Sequence, residues 1–417
     1  MKDVIDGASS SVNKHILYIS YDGMTDPLGQ SQVLPYILGL VKKGYHFTLI
    51  SFEKTDRYQK YGDQILALIG DQPVEWIPES FTARPPMLSK LYDVNKMMSR
   101  AESVIRRRKI HLIHCRSYVP AGVGLRLKKK YNIPVLFDMR GFWVDERVDN
   151  GQWKLANPFY KMLFNIYKKK EQQYFNKADH IISLTATGKE ELIQRYHVPE
   201  LKVTVIPCCV DVDHFDYRKI DLSAKDRLKR SLGISEDQQV LTYLGSLGGT
   251  YLTGEMLAFF VSLKKRYRDA KFLFITPTSE AHVLEAVASV GLRADDIVVR
   301  SSQRKDVPLY LSLSTWSIFF YEDNYSRKAC SPTKQGEIMA MGLPFICNDI
   351  GDTGNIVKIS KAGMLVKEFS SSGYDDVISQ MDQLSASDPS SIRNEAVRFF
   401  DLSLGIERYW MVYQKLI

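Results

Sequence analysis

Two doubly wound parallel α/β domains are what this chain predicts, on three observations. It has 417 residues, whereas single hydrophobic cores stop growing near roughly 250–300 residues. Strand-length apolar runs alternate with helix-length periodic segments, and the alternation runs through twice. Between the two series, residues 208–217 hold few helix formers and read as a connector. The expected domains are therefore residues 1–208 and 209–395.

In the first series the runs 15–21, 46–52, 111–115, 135–139, 180–185 and 202–207 predict strands. They are nearly continuous in Val, Ile, Leu and Phe, as strands covered on both faces are. Helical periodicity falls at 30–43, 87–109, 120–131, 155–177 and 186–197. The first of these closes on Lys42-Lys43-Gly44, cations followed by a C-terminal glycine stop. The second series predicts strands at 240–245, 271–276, 296–300, 316–321 and 344–349, with helices near 253–268, 279–290, 306–313, 333–341 and 352–359. In such sheets ligands bind beyond the carboxyl ends of the strands, so the chemistry is expected in a cleft between the domains.

Composition narrows the class. At 45% hydrophobic and 25% charged residues the chain is globular rather than disordered or fibrous. No apolar run approaches the roughly 20 residues of a membrane helix, and the polar first 15 residues read as a short unstructured lead-in without a signal-peptide core. Five cysteines without a C-x-x-C pair predict reduced structural thiols and a cytoplasmic protein. The net charge of +8 is uneven: residues 1–208 carry 31 Lys+Arg against 21 Asp+Glu, residues 209–417 carry 25 against 27. The basic runs 106–109, 128–130 and 168–170 suit an anionic membrane surface or nucleic acid, and equally suit solvated helix ends.

Candidate site residues cluster at strand ends. After the first strand, Gly23 and Gly29 lie on a loop that leads into a helix, an arrangement suited to phosphate but also to a plain strand-to-helix turn. It has neither the dinucleotide nor the P-loop glycine pattern. Two further strand ends offer Arg116 beside His114, and Asp138 beside Arg140. These residues either pair with one another or line a polar pocket for sugar hydroxyls. In the second series, Gly245 and Ser246 open a glycine-rich loop that a ligand could approach closely. The stretch Ser326 to Pro344 is the most informative. Thr333 reads as a helix N-cap, and Arg327, Lys328 and Lys334 surround that helix start, where the dipole already favours an anion such as diphosphate. Ser331 lies on the same loop. Glu337, one turn in, suits a ribose diol or is simply a first-turn glutamate. Asp211-Val212-Asp213 is an Asp-x-Asp triplet, but in the connector it reads as turn and cap chemistry, so no metal is expected.

The run Glu337-Ile338-Met339-Ala340-Met341-Gly342-Leu343-Pro344 resembles retaining glycosyltransferases of family 4 with the GT-B fold. Many of these carry two glutamates separated by seven residues, ending in an Ala-Met-Ala-x-Gly-x-Pro-like turn. Glu337 takes the place of the second, which holds the donor ribose; the first falls on Ala329. A subset carries a Ser-Pro-Thr-Lys segment, here Ser331 to Lys334. The resemblance extends to Gly29-Gln30-Ser31-Gln32, to Val205-Ile206-Pro207, Val210-Asp211 and Phe215 at the connector, and to Tyr243-Leu244-Gly245-Ser246. Leu404 to Leu416 looks like the terminal helix that in this fold returns to the first domain, which assigns 396–417 to that role.

The resemblance implies a metal-independent hexosyltransferase without a cofactor, using a UDP- or GDP-linked nucleotide sugar as co-substrate. Its acceptor would be a glycan or a lipid-linked sugar in bacterial surface polysaccharide or glycoconjugate synthesis, not nucleic acid. Front-face attack would retain configuration, with Arg116, Asp138, Arg140 and Lys334 as the expected catalytic groups. The chain departs from the family where a Lys-Gly pair usually grips the diphosphate: Thr253-Gly254 stands there, and no arginine lies between Gly245 and Gly254. A GT-B nucleotide-sugar 2-epimerase and a non-catalytic nucleotide-sugar-binding subunit are the competing readings.

Overall fold

A computed structural model of the chain describes residues 13–85 and 88–417; the N-terminal lead-in lies outside them. Strands β1 (Lys14–Ser20), β2 (Tyr45–Glu53), β3 (Val74–Ser80), β4 (Leu112–Arg116), β5 (Val135–Asp138), β6 (His180–Ser183) and β7 (Val203–Val205) form one sheet in the order β3-β2-β1-β4-β5-β6-β7. Strands β8 (Val240–Leu244), β9 (Lys271–Ile275), β10 (Ile297–Arg300), β11 (Trp316–Phe319), β12 (Phe345–Cys347) and β13 (Gly363–Leu365) form the second, in the order β10-β9-β8-β11-β12-β13. Every pairing between these strands is parallel. Both sheets are doubly wound and face a cleft, so the predicted fold class holds.

The central strands are buried along most of their length: Ile16 to Ser20, Leu112 to Arg116 and Val135 to Asp138 are all inaccessible. Two strands that apolar patterning missed, β3 and β13, lie at sheet edges. Residues Val74–Ser80 include Glu75, Pro78 and Glu79. An edge strand tolerates a proline because the missing N–H faces away from the ladder, and a half-exposed strand need not be continuously apolar. The predicted helix 30–43 is two helices, Pro27–Gln32 and Leu34–Val41, broken at Val33 with φ −128°. Pro35 supplies the reason: it has no N–H with which to continue the first helix's ladder, and it sits instead in the first turn of the second. The structure also adds helices at Thr55–Ile69 and Leu222–Ser231, and three between Ser371 and Phe400.

The last helix, Leu402–Leu416, packs on Leu34–Val41 against the first sheet. Tyr409, Val412 and Tyr413 join a core with Ile16, Tyr18 and Phe47. Gly405 allows the approach, since a Cβ there would meet Tyr36 at 2.8 Å and Cys209 Sγ at 2.9 Å.

Candidate active site

Each sheet reverses its winding direction once, between β1 and β4 in the first and between β8 and β11 in the second. These switch points are where open α/β sheets hold ligands, and the candidate residues collect at both.

At the first, register sets Arg116 beside Ser20 of β1 and beside Asp138 of β5. Asp138 is 1% exposed and Arg116 3%. Arg116 Nη1 lies 3.7 Å from Asp138 Oδ2 and Arg140 Nη1 3.7 Å from Oδ1. Arg116 Nε donates to Asp22 at 3.2 Å. The terminal helix completes the cluster: Tyr409 Oη donates to Asp138 Oδ2 at 3.1 Å, and Tyr413 Oη lies 2.7 Å from His114 Nδ1. Burial alone would raise the Asp138 pKa, but Arg140, His114 and Arg116 hold it down, to about 2. Burial also lowers the His114 pKa, so the imidazole is neutral near pH 7. Ser117 and Arg140 have φ of 67° and 62°, a left-handed region that costs about 1–3 kcal/mol outside glycine. Asp138 is thus buried and paired with both arginines. Of the two readings of these residues, mutual pairing is what the distances show; Arg140 Nη2 also lies 3.3 Å from Cys208 Sγ and 3.5 Å from Gln32 Oε1.

The loop after β1 is partly occupied from within the protein. Two of its N–H groups are not free for phosphate: those of Met24 and Thr25 donate to the Glu53 carboxylate at 2.7 and 3.0 Å. Gly29 is needed for close packing, since a Cβ there would collide with the Gly23 carbonyl. Glu53 ends β2, far from this loop in sequence, and only the β1–β2 pairing brings the two together.

At the second switch point the helix Thr333–Ala340 enters between β8 and β11. Thr333 is its first residue rather than its N-cap; Pro332 holds the cap position, without a side chain able to bond. Lys334 is 7% exposed, and its Nζ sits in a cage of tyrosine rings. The centroids of Tyr251, Tyr243 and Tyr321 lie 4.1, 4.3 and 5.7 Å away, and Nζ donates to Tyr243 Oη at 3.2 Å. Among the described residues no carboxylate pairs with it. Burial pulls its pKa down to about 7 against the pull of Glu337 and Cys330. Gly245, φ 130°, leaves room for this ammonium, since a Cβ would stand 2.9 Å from Nζ. Ser246 follows, exposed, its carbonyl accepting from Tyr243 Oη at 2.6 Å.

Glu337, on the next turn, accepts from Arg304 Nη1 at 3.0 Å. Its pKa is raised, burial outweighing Arg304. Beside the glycine-rich loop a cleft of about 310 Å³ is lined by Gly248, Tyr251, Thr253 and Gly254. Thr253 begins the 14-residue helix Thr253–Arg266, and its Oγ1 is buried without a partner. A helix start with a free hydroxyl and open glycines can accept an anion.

Two of the predicted cations also reach partners in the first domain, while Arg327 Nε stays buried without a partner among the described residues. Arg327 Nη2 donates to Asn150 at 3.2 Å, and Lys328 binds Glu191; both acceptors follow the first sheet's strands. Ser331 Oγ accepts from Cys208 N at 3.1 Å, so this loop is docked across the cleft. Ala329 is 1% exposed and packs with the first domain's core beside Gly188. A carboxylate at this position would be desolvated without a partner. Tyr243, Tyr251, Tyr321 and Arg304 are site residues that sequence reading missed; the tyrosines resemble core residues until their hydroxyls are placed at strand ends. Asp211 Oδ1 accepts from the N–H groups of Asp213 and His214, each at 3.0 Å, which is the turn chemistry expected of it.

Two parallel doubly wound domains across a cleft, with polar sites at both switch points and a terminal helix crossing back, constitute the GT-B fold of glycosyltransferases. Residues 32–214 match the model of Glycosyltransferase Family 4, giving the chain a family 4-like N-terminal domain. The chain is 24% identical over 148 residues to a D-inositol 3-phosphate glycosyltransferase of Thermobispora bispora, covering 36% of this chain and 32% of that one. It is 22% identical over 270 residues to the enzyme of that name from Salinispora arenicola, covering 61% and 57%. The matches thus span between a third and just over half of those relatives' lengths. HepE of Anabaena, solved with UDP and glucose, superposes with a TM-score of 0.67 at 13% identity over 96% of this chain and 99% of that one.

Proposed function

We propose that the protein transfers a hexose from a UDP- or GDP-linked sugar to a glycan or lipid-linked acceptor, with retention and without a metal, in bacterial surface polysaccharide or glycoconjugate synthesis. The observation that carries this is Lys334: a buried ammonium with no carboxylate partner, at the β8/β11 switch point of a GT-B fold, 2.9 Å from where Gly245 lacks a Cβ. A desolvated cation without a counter-ion is unfavourable unless an anion arrives, and a nucleotide diphosphate is the anion that relatives of this fold handle. In this reading residues 209–395 hold the donor, residues 1–208 the acceptor, and 396–417 tie the two together.

Lys334, with the start of helix Thr253–Arg266, would meet the diphosphate. Glu337 would accept from the ribose hydroxyls, Arg304 fixing its carboxylate. Arg140, at the cleft wall, would orient the acceptor. The bond from the anomeric carbon to the leaving phosphate breaks, and negative charge builds on that phosphate beside Lys334; stabilising such developing charge is the largest catalytic contribution an enzyme commonly makes. The departing phosphate oxygen takes the acceptor's proton as the new glycosidic bond forms on the same face.

The test is calorimetric titration with UDP and GDP. Lys334→Ala should weaken binding by about 1.5–3 kcal/mol, the value of a charge-assisted hydrogen bond, and lower turnover as well. Glu337→Gln should weaken binding by about 1–3 kcal/mol, and Cys330→Ala should leave it unchanged. If folded Lys334→Ala and Glu337→Gln bind like the parent, the donor site is elsewhere. Sugar conversion without any acceptor would indicate the epimerase instead, and binding without turnover a non-catalytic subunit.

A further inference from the structure

The basic runs of the first domain are mostly neutralised. Arg106 and Lys130 pair with Glu102, Arg107 and Arg108 with Glu75, Lys128 with Asp179, and Lys168 with Asp145 and Glu171. Unspent positive charge, including Lys169 and Lys170 of the third run, lies around an apolar face. The helix Pro158–Lys177 exposes Phe159, Met162 and Ile166, which share one side at a helical repeat. The start of helix Leu88–Arg107 exposes Leu88, Leu91 and Tyr92, the first 67% accessible.

One aromatic cluster links the two helices. Trp143 lies 5.5 Å from Tyr167 of the first helix, and Lys90 of the second stands 4.7 Å over the Trp143 ring. Residues 150–170 contain five lysines and no carboxylate, and residues 81–92 contain Arg84 and Lys90 and no carboxylate. Lys154, Lys161, Lys169 and Lys170 are exposed.

From this we propose that the joined face of helices Leu88–Arg107 and Pro158–Lys177 is a docking surface for an anionic lipid bilayer, into which Phe159, Met162, Ile166, Leu88, Leu91 and Tyr92 insert while the lysines meet headgroups. Exposed apolar residues bordered by unpaired lysines match the layering of a bilayer interface, acyl chains beneath anionic headgroups. A second copy of this chain would bring like charge against like charge. No described helix is long and apolar enough to cross a membrane, so the attachment is to the surface. Trp143 and Arg147 continue from Arg140 along the same segment, so docking would turn the acceptor side of the cleft toward the bilayer. This deepens, and for its purpose rests on, the lipid-linked acceptor reading. Vesicle binding itself is measured without donor or acceptor, so either idea can fail without the other.

The full chain is co-sedimented with phosphatidylglycerol vesicles and with phosphatidylcholine vesicles at low and high salt. Binding to the first, weakened by salt and absent from the second, is expected. Phe159→Asp with Ile166→Asp, and separately Lys161→Glu with Lys169→Glu, should each reduce vesicle affinity by about tenfold or more. Lys129→Glu, on a neutralised run, should change it little. All four side chains changed in the two double variants are exposed, and unchanged melting temperatures confirm folding. Equal sedimentation with both vesicle types, or unaltered affinity in both double variants, overturns the proposal. So does light scattering that shows a dimer dissociated by Phe159→Asp with Ile166→Asp, which would assign the face to a second copy.

Discussion

The two switch points share a topology and differ in their electrostatics. In the first sheet, Asp138 is enclosed by Arg116, Arg140, Tyr409 and His114. In the second, Lys334 is enclosed by tyrosine rings and lacks a carboxylate partner among the described residues. One site has its charges compensated before any ligand comes; the other is left short of an anion. The same β-α-β frame therefore carries a paired charge cluster on one side and an unpaired lysine on the other, and the difference lies in a few side chains at strand ends.

The largest expected effect tests the compensated side. Asp138→Asn keeps the shape but leaves two arginine charges buried against a neutral amide, which should cost about 3–5 kcal/mol in urea unfolding. The wild-type contribution has a definite pH window. The folded pKa of about 2 lies below the ordinary 3.8, so this stability is present above about pH 4 and is lost as pH falls toward 2. A variant as stable as the parent would show that the arginines do not need the carboxylate.

A second prediction sharpens the uncompensated side. With its pKa near 7, Lys334 is mostly neutral at pH 8 in the free protein, and an arriving diphosphate should recharge it. Calorimetry at pH 8 in buffers of different ionisation heats should show uptake approaching one proton per UDP or GDP bound, lost in Lys334→Met. Affinity should fall as pH rises above 7, by up to about tenfold per pH unit. The ligand-free protein behaves in the opposite sense: a lysine pKa depressed on folding makes stability rise as pH climbs from about 7 toward 10.5. Uptake identical in parent and variant would place the proton elsewhere.

The smallest effect probes what joins the two halves. Tyr409→Phe removes one hydrogen bond to Asp138 without making a cavity, and should cost about 1 kcal/mol. A much larger loss would mean that the terminal helix holds the ionic cluster through that hydroxyl alone.

Much of this is written in local sequence. Apolar runs buried on both faces announced the central strands, and the spacing from Ser331 to Pro344 announced the helix that carries Lys334 and Glu337. Less legible were β3, whose edge position permits Glu75, Pro78 and Glu79, and the three helices between Ser371 and Phe400. Nor did the loop after β1 announce that Glu53 takes the N–H groups of Met24 and Thr25, a partnership made by strand pairing. Arg327 and Lys328 were placed correctly along the chain, yet they point across the cleft to Asn150 and Glu191.

What the sequence determined by itself is the repeated alternation, hence two parallel sheets and the strand ends at which ligands could bind, because periodicity and burial are local properties of a run of residues. Tertiary structure alone decided which charges are spent. Whether an arginine faces a substrate or a carboxylate, and whether a lysine meets a counter-ion or three tyrosine rings, depends on side chains brought together from residues as far apart as Asp138 and Tyr409, and no local pattern records that distance.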